Sequence, residues 1–159
     1  MEETVNTIEP AVETQNEQIA EPTPTERLNA LMASRTGTFD VKISHADLKF
    51  LKNTLNQKLE WKGPNEAYLV IMAVLSIENL LQETDPKSPV VQVKVPATTI
   101  ESVNFFLNKI TGKGIESAQR LFSISMMFRQ AVESIRKLDE EIEFVKNEMT
   151  IKKEVSEKN

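Results

Sequence analysis

Residues 121–149 read LFSISMMFRQAVESIRKLDEEIEFVKNEM. In this stretch Leu121, Ile124, Phe128, Ala131, Ile135, Leu138, Ile142, Val145 and Met149 come in alternating steps of three and four. All are apolar, and neither Gly nor Pro occurs from Ile115 onward. A 3,4 spacing held over four heptads keeps a narrow seam on one face of a helix, the pattern of a coiled coil. The feature speaks of association rather than chemistry.

The two halves of this helix differ. Up to Val132 the apolar set is wide, with Phe122, Met126, Met127 and Val132 beside the seam, so this half belongs in a globular core. From Glu133 the seam narrows to Ile135, Leu138, Ile142, Val145 and Met149 among charged neighbours, with Phe144 and Ile151 as apolar exceptions. Isoleucine at Ile135 and Ile142 with leucine at Leu138 favours parallel two-stranded pairing. In that register Glu141 faces Lys146 of a second chain, and Glu148 faces Lys153. The same seam also suits a helix packed along another helix of its own chain, because an antiparallel bundle shows the same spacing.

The remaining sequence builds the domain. Residues 25–34 form a short helix with Leu28, Leu31 and Met32 on one face. Phe39, Val41 and Ile43 alternate with Asp40 and Lys42 as in a strand. Ser44 and Asp47 open a second helix in an approximate capping box, with Leu48, Leu51, Leu55 and Leu59 as its stripe. Gly63 and Pro64 break the chain, and either Gly63 or Asn65 caps the next helix. This third helix, from about Glu66 to Glu83, is apolar on every side in its first half, which predicts the central element of the core. Val91, Val93 and Val95 predict a second strand. Thr98 and Glu101 predict a capping box for a fourth helix, which Gly112 ends. The fold expected is mainly α. It is a compact helical domain of four to five helices with a small two-stranded β element and a long C-terminal coiled-coil-like helix. Its divisions are an arm at residues 1–25, a globular part at 26–132 and the extension at 133–159.

Charge is unevenly placed. The net charge is −5. Residues 1–25 hold Glu2, Glu3, Glu9, Glu13, Glu17 and Glu21 with no Lys or Arg, so the rest of the chain is close to neutral. The composition of this arm predicts disorder. Val5, Ile8 and Val12 form a weak helical stripe within it that could fold on a second protein. A near-neutral body argues against broad contact with nucleic-acid phosphates. The basic groups that remain candidates for such contact are Lys49, Lys52, Lys58 and Lys62, with Trp61 beside them. Trp61 is expected instead to pack across the Gly63-Pro64 turn.

Chemistry is sparsely signalled. There is no cysteine, hence no disulfide framework or thiolate site. His45 is the one histidine, and no partner for it is evident in the sequence. Asp139, Glu140, Glu141 and Glu143 spread around a helix as a solvated face. Gly112-Lys113-Gly114 lacks the upstream glycine and the Ser/Thr of a phosphate loop. The longest apolar run, Ala67 to Leu75, is far short of the about 20 residues that span a bilayer. No basic and apolar leader is seen, so the expectation is a cytoplasmic protein.

These readings predict a non-enzymatic adaptor or assembly protein with no cofactor, no metal and no membrane contact. Its partner is itself, as a parallel homodimer or higher homo-oligomer held by Ile135, Leu138, Ile142, Val145 and Met149, with Glu141 and Lys146 on the flanks. The acidic arm contacts a second protein through Val5, Ile8 and Val12. The alternative is a nucleic-acid-associated accessory protein using the Lys49–Lys62 face.

Overall fold

Thr23 opens the first helix with a reciprocal pair of bonds. Its hydroxyl accepts from the Glu26 N–H at 3.3 Å, and the Glu26 carboxylate accepts from the Thr23 N–H at 2.8 Å. Pro24 comes next at the first helical position, where a missing N–H costs nothing. Helix α1 thus spans Pro24–Arg35, and the boundary expected at residue 25 moves back. The computed structural model describes residues 21–156. Val5, Ile8 and Val12 lie outside the described residues.

Strand β1 (Thr38–Ile43) pairs antiparallel with β2 (Val91–Pro96), Asp40 opposite Lys94 and Val41 opposite Val93. The pairing is not a hairpin, because two helices lie between the strands. Val41, Ile43, Val93 and Val95 are buried, while Asp40, Lys42 and Lys94 point outward. This is the expected alternation of a ribbon with one wet face.

Helix α2 (His45–Lys58) starts where the sequence predicts, with Ser44 Oγ accepting from the Asp47 N–H at 3.0 Å. Leu48, Leu51, Thr54 and Leu55 form its buried side. Helix α3 spans Gly63–Glu83, and its start needs the positive φ of Gly63, +70°. Its N-cap is Lys62, not Gly63 or Asn65.

Helix α4 (Ala97–Leu107) leaves β2 without a loop. Pro96 is its N-cap and offers no side-chain bond, so the expected Thr98–Glu101 capping box does not form. The Ala97 N–H is satisfied instead by the Gly37 carbonyl at 3.1 Å, which ties the start of α4 to the start of β1. The helix ends at Leu107 with Asn108 as its cap, short of Gly112. Helix α5 runs unbroken over Ile115–Ser156, and at 1.5 Å per residue its 42 residues reach about 60 Å. Residues 157–159 lie outside the described residues.

The core gathers between the ribbon, α2, α3, α4 and the first half of α5. Phe106, Phe128, Ile77, Ile100 and Ile124 are fully enclosed there, and Ile135 marks its far edge. Thr99 Oγ1 donates to Ser76 Oγ at 2.8 Å, joining α4 to α3. Among the described residues no buried side-chain nitrogen or oxygen lacks a partner, as expected of a well-formed interior.

Candidate association surfaces

Beyond Ile135 the long helix leaves the main core, and α1 is the element laid against it. The two run antiparallel. Arg35, at the end of α1, donates from Nε to Asp139 at 2.6 Å and from its Nη2 to Glu101 of α4. Arg27, near the start of α1, faces Glu148 at 3.6 Å. Both carboxylates at Arg35 raise its pKa further above the ordinary value, Asp139 through the larger hydrogen-bond effect.

Under α1 the seam is closed within the chain. Ile142 is 9% exposed and Val145 1%. The cover is thin, however. No residue of α1 is buried, and Leu28 and Leu31, the apolar groups it presents, are only half-buried. Leu138 and Met149 on α5 are also half-buried, and Met32 is exposed. Glu141 and Lys146 lie exposed on the helix surface. A second chain therefore cannot reach Ile142 and Val145 directly while α1 stays in place. Phe144 and Ile151, the exceptions to the seam, are exposed on the opposite side of α5.

Helix α3 departs from its expected place. Ala73, Ile77 and Leu80 are its buried residues, and Val70, Val74 and Leu81 are half-buried on the same side. The outer side carries Tyr68, Ile71, Met72 and Leu75, all exposed. The helix covers the core rather than filling its centre. Sequence pattern alone missed this, since a helix apolar all round reads the same whether enclosed or waiting for a partner.

The basic residues do not share one face. Lys49 and Lys58 are nine positions apart and so point to opposite sides of α2. Lys52 is held by Glu78 at 2.6 Å. Lys58 lines a hollow with Phe50, Ile110 and Leu121, against the turn before α5. Trp61 and Lys62 are exposed in the connector before α3, so Trp61 does not pack into the turn as expected.

Other candidates for chemistry resolve into structure. His45 Nδ1 lies 2.8 Å from the Thr84 hydroxyl, a partner the sequence did not suggest. Gly114 has φ +92° and its carbonyl accepts from the Ala118 N–H at 3.3 Å, so the Gly112–Gly114 segment is a turn into α5. One hollow of about 570 Å³ is lined by Asp40, Lys42, Gln92, Met126, Met127 and Gln130 beside the ribbon. Its one carboxylate, Asp40, is paired with Lys94 at 3.5 Å. Among the described residues no group of three or more acidic or histidine side chains is placed to hold a metal ion, and no helix is long and apolar enough to cross a membrane.

Comparison with protein families, with characterised proteins and with solved structures returns no match. The functional reading therefore rests on the surfaces themselves.

Proposed function

We propose that this chain is a non-enzymatic assembly protein that associates with itself through the arm formed by α1 and the second half of α5. The observation that carries the reading is the incomplete cover of that arm: a well-buried pair, Ile142 and Val145, lies beneath a helix with no buried residue of its own. Two antiparallel helices leave half of each apolar stripe open. Two such arms laid together make a four-helix bundle, in which Leu28, Leu31, Met32, Leu138 and Met149 become interior. This revises the simple two-stranded seam, because α1 takes part instead of leaving. Glu141 and Lys146 then flank the bundle as exposed charges, contributing to orientation by about 0.2–1 kcal/mol per pair at most. The acidic N-terminal segment, with Val5, Ile8 and Val12, is free in this reading to contact a second protein.

Light scattering on the intact chain tests the proposal. The mass should exceed the 18.0 kDa monomer. It should fall for a chain ending at Lys137, and also for Leu138→Asp, which would place an unpaired carboxylate inside the bundle. A monomer at every concentration up to the millimolar range would overturn it.

A further inference from the structure

From Ala67 to Ile77 helix α3 contains no charged residue, and both its faces are apolar. The inner face is spent on the core. The outer one is continuous with α4. Leu69 borders two adjoining hollows, one shared with Tyr68, Met72 and Ser76, the other with Ser102 and Phe105. Exposure runs from 40% at Leu69 to 61% at Tyr68, with Ile71, Met72, Leu75 and Phe105 between. At about 200 Å² for a large side chain in full exposure, these six leave roughly 600 Å² uncovered. That is the upper end of the largest apolar patch on ordinary monomers, about 300–600 Å². With a polar rim added it reaches the roughly 800 Å² per partner of a stable interface.

The charges around the patch say what fits it. On the α4 side Glu66 is tied to Lys109 at 2.6 Å, and Lys109 also lies 4.2 Å from the centre of the Phe105 ring. On the α2 side Glu78 is tied to Lys52 at 2.6 Å. Glu101, which lines the hollow beside Phe105, is bonded to Arg35, so these bordering carboxylates are each engaged within the chain and the centre of the face carries no charge to select an acidic or a basic partner. Between Ala67 and Ile77 the face holds no cation to draw the acidic N-terminal segment. An uncharged apolar surface is, by contrast, complementary to itself: a two-fold axis sets the patch against its own copy, and no like charges meet.

We propose that the outer face of α3, with Leu69 and Phe105 beside it, is a two-fold interface between two copies of this chain, separate from the α1–α5 arm. The inference rests on the self-association reading and extends it. A protomer with two different two-fold contacts is bivalent, and copies then close into a tetramer or continue as an open chain.

Four intact chains decide it by light scattering across concentration: the natural sequence, Met72→Glu with Leu75→Glu, Leu138→Asp, and all three changes together. The natural chain should exceed a dimer, the α3 variant and the arm variant should each stop at a dimer, and the triple variant should be a monomer. Self-association through α3 should weaken at least tenfold in the α3 variant. A natural mass unmoved by the α3 changes, but lowered by Leu138→Asp, overturns the α3 interface and leaves the arm standing. A dimer dissociated by the α3 changes alone leaves α3 standing and removes the arm. An intact monomer that gains mass once residues 1–20 are deleted makes the N-terminal segment the occupant and overturns the proposal. Since Met72 and Leu75 are both exposed, the α3 variant should keep the natural folded spectrum. A second readout does not depend on that variant: the chain has no cysteine, so Met72→Cys should cross-link to itself under mild oxidation, while Asn56→Cys on α2 should not. Equal cross-linking of the two overturns the interface.

Discussion

At the scale of single residues, two carboxylates contribute to the acid limb of stability. Glu66 Oε1 accepts from Lys109 at 2.6 Å and Oε2 accepts from the Lys62 N–H at 2.8 Å. Together these hold its pKa below the ordinary 4.5, with the Lys109 bond the larger cause. Glu26 is lowered in the same direction, first by the Thr23 N–H and then by the Thr23 hydroxyl. A carboxyl whose pKa is lower in the folded chain contributes stability while it is ionised in both states. That contribution is lost as pH falls through the folded-state value. The urea midpoint should therefore drop on acidification from about pH 6 to about pH 3, and Glu66→Gln should flatten part of the drop. An identical pH profile for the variant would remove Glu66 from this account. Gly114 carries a different constraint. Nothing lies near the position of an added Cβ, yet its φ of +92° disfavours any other residue. Gly114→Ala should cost about 1 kcal/mol, seen as a lower melting temperature with no change in the folded spectrum.

Among the elements, the arm is where sequence and structure part. The 3,4 seam was legible, and so were the strands, α2 and the run of α5. What covers the seam was not. The spacing is the same for a helix of another chain and for α1 of this one, and α1 is short, weakly amphipathic and begins one residue earlier than expected. The Thr98–Glu101 pattern misled for a related reason. A capping box needs its Thr ahead of the helix, but β2 runs straight into α4, so the capping position falls on Pro96, which has no side-chain acceptor, and Thr98 lies inside the helix; Glu101 bonds Arg35 instead. Helix α1 should be the least stable element described. In hydrogen exchange, Leu28→Ala with Leu31→Ala should speed exchange at residues 140–150 while the amides of α4 stay protected. Uniform loss of protection would mean that the arm and the core unfold as one unit. Thr23→Ala should act in the same place and cost about 1 kcal/mol of helix stability by removing the cap. A chain starting at Glu21 retains that cap, and its melting temperature should match that of the intact chain.

For the whole molecule, the distribution of charge separates an assembly protein from one that binds nucleic acid. The net charge is −5, and six carboxylates precede the helical body. Within that body the lysines expected to meet phosphates are dispersed: Lys52 is engaged by Glu78, and Lys49 and Lys58 face opposite ways. Single- or double-stranded nucleic acid of random sequence should therefore bind weakly at physiological salt. Any binding should fall further as salt rises, because it would rest on phosphate contacts that release counterions and are screened. Deleting residues 1–20 removes five of the six carboxylates and should strengthen the residual binding slightly. Lys49→Glu, Lys52→Glu and Lys58→Glu together should abolish it. Lys52 is also the partner of Glu78 beside the α3 face, so the mass in light scattering is followed in the chain with Lys49→Glu and Lys58→Glu alone, where it should stay as it was. Tight binding by the intact chain, lost on changing those lysines, would show that they act together despite their separation, and would put a nucleic-acid partner where self-assembly is now proposed.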